Sequence, residues 1–131
     1  MEATPTTDGV VRVASSHPSP VVLATLLSLL HAKAIHVFAV IDHSGEAAKV
    51  GLEMPDTKVV IFGNPLAGTP LMLAAPDVAL DLPLKILVAA TSDHTTTIAY
   101  SSPNYLQLRY GLSAELIANI AVIEQIANAV R

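Results

Sequence analysis

Apolar residues near the start of the chain follow a helical period. They recur at positions i, i+3, i+4 and i+7 as Leu23, Leu26, Leu27 and Leu30. This spacing places the four side chains on one face of a helix. Ser19 and Pro20 precede them and supply an N-cap and a proline at the first helical position. The sequence therefore predicts a helix after Ser19 with a buried leucine face.

The end of the chain shows the same period. Ser113 is the predicted N-cap, and Glu115 lies near the positive end of the helix that follows. The apolar stripe of this predicted helix consists of Leu116, Ile120, Ile123, Ala127 and Val130.

Short apolar or alternating segments predict strands between these helices. The predicted strands are residues 9–14, 34–41, 58–62, 84–90 and 96–100. The second is almost entirely apolar, which is typical of a strand covered on both faces. The polar stretch between the last two predicts a hairpin and hence antiparallel pairing.

Capping and proline signals predict shorter helices in the same region. Asp42, His43 and Ser44 offer N-caps for a helix that Gly51 closes in a left-handed conformation. Thr69-Pro70 repeats the cap-plus-proline signal for a helix that ends before proline 76, and residues 103–110 are expected to form one or two helical turns.

These elements predict an α+β fold. We expect a single domain over residues 9–131, with a mixed, mostly antiparallel sheet of about five strands covered by helices. Residues 1–8 are predicted to be a flexible polar lead-in.

The amino-acid composition indicates that the chain associates with a second copy of itself. The chain is 52% hydrophobic and only 14% charged, so it holds more apolar side chains than one small core hides, and we expect a homodimer. The longest apolar run, residues 21–30, is about half the length that a bilayer requires. The chain also begins acidic and polar, unlike a secretory signal. We therefore expect a cytoplasmic protein without a membrane partner.

Charge and cysteine content exclude several classes of function. A net charge of −4, seven Lys and Arg residues and 4% aromatic residues provide no basic stripe or stacking platform, so no nucleic acid partner is expected. The absence of cysteine excludes disulfides and thiolate chemistry. No cofactor is predicted.

The stretch FGNPLAGTP, residues 62–70, approaches the spacing of a phosphate-binding loop. Such a loop needs a lysine followed by a serine or threonine. Thr69 stands in the lysine position and Pro70 in the hydroxyl position, while Pro65 removes an amide donor. The sequence therefore predicts no nucleotide site, although a helix that began at Thr69 could hold a small anion.

Longer motifs carry a family resemblance. FGNP, GTPLM and ALDLPLK within residues 61–88, together with SPNYL-x-x-RYGL within 100–112, resemble the bacterial and archaeal family called domain of unknown function 302. The resemblance covers nearly the whole chain and implies a small α+β domain, often found as a dimer, with no established activity. The chain departs from the family pattern after LPLKILV, where it reads AATSDHTTT.

The histidines do not predict a metal site. His36 lies about 17 to 20 Å along its predicted strand from Asp42 and His43, so one ion cannot bind all three. We interpret His36 as a hydrogen-bonded interior residue. His43 is assigned to helix capping or a solvated turn, and it is also kept as a candidate for ligand binding.

Asp81 and Asn64 are further candidate ligand-binding residues. Asp81 is surrounded by apolar residues, so its carboxylate either braces neighbouring backbone amides or performs acid–base work. Asn64, which is held extended by the proline after it, either locks its own loop or contacts a ligand.

A cluster of aromatic residues and a cation follows the last strand. Tyr100, Tyr105, Tyr110 and Arg109 lie within eleven residues and could bind a carboxylate ligand or form a core edge or a dimer contact. The candidates in this cluster are Tyr100, Tyr105 and Arg109.

Two functions follow from these residues and remain open. The first is a non-catalytic module that binds a small organic or anionic ligand near the FGNP loop, Asp81 and the tyrosine–arginine segment. The second is a small acid–base enzyme that uses Asp81 or His43 in the same cleft.

Overall fold

Five strands form one sheet in the computed structural model, which describes residues 8–131. They are β1 (Val10–Ser15), β2 (His36–Asp42), β3 (Thr57–Gly63), β4 (Leu84–Ala90) and β5 (Thr96–Ser101). Their order is β1-β5-β4-β3-β2, and all neighbouring pairs are antiparallel. The predicted α+β class and the hairpin of β4 and β5 are confirmed. The predicted lead-in lies outside the described residues except for Asp8.

Helices connect and cover these strands. They are α1 (Ser19–Ala32), α2 (His43–Lys49), α3 (Pro65–Ala74), α4 (Pro103–Tyr110), α5 (Ala114–Ile117) and α6 (Val122–Val130). Two 3₁₀ turns lie at Pro76–Leu80 and Ala118–Ile120. No helix in the described part of the chain is both long and apolar enough to cross a bilayer.

The core lies between one face of the sheet and the helices. Val13, Val60, Phe62, Ile86 and Ile98 are fully buried on the sheet side. The fully buried residues on the helices include Leu26, Leu30, Leu71 and Ile126. The predicted leucine face of α1 is thus confirmed at its centre, while its other two leucines are only half-buried.

The predicted final helix is interrupted. Ser113 caps it as expected, because its hydroxyl accepts a hydrogen bond from the amide of Leu116 at 3.2 Å. The 3₁₀ turn at Ala118–Ile120 then separates α5 from α6. Because a 3₁₀ helix has three residues per turn, it keeps Ile117, Ile120 and Ile123 on one side, and all three are buried.

The prediction that residues 34–41 are covered on both faces is wrong. β2 is an edge strand, and Phe38, Val40 and Ile41 are 39–48% exposed. A continuous apolar run has the same sequence pattern in a central strand and in an edge strand, so the run alone does not decide between them.

The start of α3 also differs from the prediction. Asn64-Pro65, rather than Thr69-Pro70, supplies the cap and the first-turn proline. Asn64 Oδ1 accepts from the amide of Leu66 at 2.9 Å, and the helix continues through Pro70. No helix therefore begins at Thr69, so the small-anion site that a helix start there could have provided has no structural basis.

Candidate functional site

A cleft of about 290 Å³ opens at the end of the sheet where β2 begins and β3 ends. Most of its lining side chains are apolar and come from the sheet, α3, the segment before β4 and the C-terminal helices. The lining residues are Ile35, Phe38, Phe62, Gly63, Asn64, Pro65, Ala67, Gly68, Thr69, Met72, Leu82, Pro83, Leu84, Asn119, Ile120 and Val122.

Two glycines of FGNPLAGTP leave space for the cleft. A Cβ at Gly63 would meet Pro83 Cβ at 3.6 Å and Phe38 Cε2 at 3.7 Å, and one at Gly68 would meet Leu82 Cδ1 at 3.8 Å. These are ordinary contacts, so alanine fits at either position, whereas a longer side chain would enter the cleft. The glycines of this motif therefore maintain an apolar cleft.

Three of the lining residues have polar side chains: Asn64, Thr69 and Asn119. Asn64 uses its Oδ1 to cap α3, and Asn119 donates from Nδ2 to the carbonyl oxygen of Ala67 at 3.2 Å. These bonds leave the amide hydrogens of Asn64 and the Oδ1 of Asn119 for a ligand. The lining contains no titratable side chain, so the cleft is suited to a neutral molecule with an apolar body and a hydrogen-bonding group.

Asp81 and Arg109 are brought together outside the lining of this cleft. Arg109 Nη1 donates to Asp81 Oδ2 at 3.2 Å, and the Tyr110 hydroxyl donates to the same oxygen. The guanidinium of Arg109 also lies 5.3 Å from the centre of the Tyr110 ring. The hydrogen bond to Asp81, followed by burial, raises the pKa of Tyr110. Side chains of α4 thus hold the Asp81 carboxylate, whereas the sequence left open whether it braces backbone amides or performs acid–base work.

Tyr100 and Tyr105, the two tyrosines among the predicted site residues, pack against other parts of the fold. Tyr100 is 5% exposed on the inner face of β5, where burial, followed by the charge of Glu124, raises its pKa. Tyr105 packs its ring against Gly9, so closely that a Cβ at Gly9 would overlap the ring.

The candidate histidine lies far from the cleft. His43 is exposed at the first residue of α2. It follows Asp42, at the end of β2 that is farther from Gly63. Seven residues of strand separate the two ends by about 20 Å. His36 is exposed and meets Phe38 edge to face at 4.5 Å, so its predicted interior position is wrong. Among the six predicted site residues, only Asn64 lines the cleft. The other five do not share a cleft with it, contrary to the prediction from the sequence.

A polar network at the opposite end of the sheet was not predicted. Asp56 accepts hydrogen bonds from Ser19 at 2.6 Å, from Ser44 at 3.4 Å and from Lys58. Ser44 also donates to Asp42 at 2.7 Å. These residues are scattered over forty positions without a recognisable spacing, so no sequence signal could have joined them. Within residues 8–131, no group of three or more His, Asp or Glu side chains is arranged to hold a metal.

Comparison with known proteins places the chain in a family. The sequence profile described as "Domain of unknown function DUF302" matches residues 11–131. The chain belongs to the DUF302 family. The fold of this DUF302 domain resembles the crystal structure of an uncharacterized conserved DUF302 protein from Bacillus stearothermophilus, with a TM-score of 0.75 and 20% identity. The likeness covers 93% of this chain and 94% of the other, and it shows a shared fold.

Curated relatives are longer proteins. The domain is 31% identical over 110 residues to proteins named "Fluoride-specific ion channel FluC 1" in Brucella suis and in Brucella abortus. The match covers 82% of this chain and 43% or 41% of the relatives. The chain thus spans about two fifths of the length of these relatives. The name refers to each relative as a whole protein.

Proposed function

We propose that this DUF302 domain is a binding module for a small neutral organic molecule, held in the cleft between β3, α3 and the C-terminal helices. The observation that carries the proposal is the uncharged lining, which combines apolar walls with the amides of Asn64 and Asn119 and the hydroxyl of Thr69. A cleft of this kind favours a ligand whose apolar body is buried while one polar group fixes its orientation.

The volume and polarity of the cleft limit the range of ligands that it can bind. A cleft of about 290 Å³ lies at the lower end of the volumes of small-molecule sites, so it favours a small ligand. An amide group would match the lining well, because its oxygen can accept from Asn64 and its NH₂ can donate to Asn119. A carboxylate would bury a charge without a cation among the lining residues, and such burial is unfavourable.

An acid–base enzyme is the weaker proposal. Asp81 and His43 lie towards opposite ends of the sheet, and the Asp81 oxygen that meets Arg109 also accepts from Tyr110. Neither residue lines the cleft, so neither is positioned to transfer a proton to a molecule held there.

A pair of matched fragments tests the binding proposal. We expect benzamide to shift the backbone amide resonances of Gly63 and Gly68 and the side-chain amide of Asn119 in nitrogen-15 spectra. Benzoate, which has the same shape and a negative charge, should leave these resonances in place. Gly68→Leu should abolish the benzamide response by filling the cleft, whereas Ala74→Leu, on the same helix but outside the lining, should retain it.

Two results would contradict the proposal. One is the absence of any response in the cleft to a panel of neutral aromatic amides and alcohols up to their solubility. The other is a benzoate response centred on Arg109, which would instead place an anion site at the ion pair with Asp81.

A further inference from the structure

Both phenylalanines of the chain line the cleft, but they offer it different amounts of ring surface. Phe62 is fully buried, so the core already covers its ring. Phe38 is 48% exposed, although it borders an apolar cleft. Phe38 therefore carries ring surface that a bound molecule can cover.

A register shift in the sheet creates the position of Phe38. Val37 is paired with Phe62 on β3. The next pair joins Ala39 to Ile61, so Phe38 is an extra residue between the two pairs. Such a β-bulge bends the strand and redirects a side chain, and bulges are frequent next to active sites. The bulge of β2 is thus a feature of the cleft as well as of the sheet edge.

Two neighbours hold the Phe38 ring at the border between the cleft and solvent. His36 meets it edge to face, with 4.5 Å between the ring centres and an angle of 84° between the ring planes. Gly63 lets the ring lie close to the end of β3, since a Cβ at Gly63 would be 3.7 Å from Phe38 Cε2. A ring that is already held in place loses little conformational freedom when a ligand covers it.

We propose that Phe38 selects the ligand of this cleft, and that the ligand is a planar aromatic molecule whose ring packs against the Phe38 ring. This inference rests on the proposed binding function. Aromatic rings in contact attract each other beyond the effect of the apolar area that they bury, which corresponds to a preference of about two- to tenfold over a saturated ring. The amide groups of Asn64 and Asn119 then bind the polar group of the same molecule.

Benzamide and cyclohexanecarboxamide are matched probes, because they share an amide and a six-membered ring but differ in planarity and in π electrons. Nitrogen-15 titrations that follow the backbone amides of Gly63 and Gly68 give both dissociation constants. The wild type should bind benzamide about two- to tenfold more tightly. Burial of apolar area alone would favour the saturated ring, which has the larger apolar surface.

Variants of β2 assign this preference to one side chain. Phe38→Leu should remove the preference while cyclohexanecarboxamide still binds, and Phe38→Tyr, which keeps the ring, should retain the preference. Val40→Thr is the matched control, because Val40 is 42% exposed on the same strand and lies outside the lining. It should leave both dissociation constants unchanged.

Equal affinities of the wild type for the two amides, or a preference that persists in Phe38→Leu, would overturn the role of Phe38 while the cleft remains a binding site. If neither amide shifts the cleft resonances, the inference fails together with the benzamide response that the proposed function predicts. If Phe38→Leu fails to fold, the wild type decides. Nuclear Overhauser contacts between the Phe38 ring and the ring of bound benzamide are expected, and their absence contradicts the inference.

Discussion

The Ser19 hydroxyl donates a 2.6 Å hydrogen bond to Oδ2 of Asp56, 37 positions further along the chain. Ser19 is buried at the first residue of α1, and Asp56 immediately precedes β3. Ser44 and Lys58 contact the other oxygen of the same carboxylate. Asp56 therefore joins α1, α2 and β3 at one end of the sheet.

Removal of this hydrogen bond should destabilise the fold. Ser19→Ala is expected to lower the free energy of unfolding by about 1 to 3 kcal/mol, because it deprives a partly buried carboxylate of a donor. Ser28→Ala, at an exposed position of the same helix, should change it by less than about 0.5 kcal/mol. Urea denaturation compares the two variants, and equal effects would show that the Ser19 bond does not contribute to stability.

Acid should weaken the same network. Burial raises the pKa of Asp56, but the hydrogen bonds from Lys58 and Ser19 outweigh burial and lower it below its usual value. A carboxyl with a lowered pKa stabilises the fold above its unfolded pKa of about 3.9, and this contribution is lost as the pH falls through the folded value. The free energy of unfolding should therefore decrease below about pH 4.

Asp56→Asn should make this acid dependence shallower, because asparagine does not titrate. Asp93→Asn, in the exposed turn between β4 and β5, should retain the wild-type slope. Denaturation measured between about pH 2 and 7 compares the slopes, and an unchanged slope in Asp56→Asn would exclude this carboxyl as the source.

Gly9 should be far less replaceable than Gly51. Both have a left-handed backbone, with φ of 81° and 80°, but a Cβ at Gly51 meets nothing within 4 Å. Gly51→Ala should therefore cost only the conformational term of about 1 to 2 kcal/mol. Gly9→Ala should cost more, because its Cβ overlaps the Tyr105 ring. Thermal melts should show the difference shrinking in a Tyr105→Ala background, and its persistence there would contradict the steric cause.

Two neighbouring leucines of α1 should respond differently to truncation. Leu26 is fully buried, whereas Leu27 is half-buried at the margin of the core. Leu26→Ala is expected to cost about 2 to 5 kcal/mol, and Leu27→Ala should cost less because it leaves a smaller cavity. The reverse order in urea denaturation would contradict the observed rotation of the helix.

ATP and GTP with magnesium should not bind at micromolar concentration. Residues 65–70 of FGNPLAGTP form the first turns of α3, so their backbone amides do not cradle phosphates. Titration calorimetry should detect no magnesium-dependent heat. A micromolar isotherm that disappears in Gly68→Val would show that the motif is a nucleotide loop.

The sequence by itself determined the fold class and most elements. The helical period of residues 23–30 and the polar loop between β4 and β5 are local signals, and local signals suffice for elements whose partners are adjacent in sequence. The family motifs extended this information to nearly the whole chain. The sequence also identified Asn64 as a candidate from its place before Pro65. It left open whether the Asn64 side chain locks its own loop or contacts a ligand.

Only the tertiary structure decided which residues meet. The edge position of β2, the separation of Asp81 from the cleft and the link between Ser19 and Asp56 all depend on strand order. Asn119 was missed for the same reason, because it reaches the cleft from a 3₁₀ turn 52 positions beyond Ala67. Hydrophobic periodicity specifies which face of an element is buried, but it contains no information about which distant element covers that face.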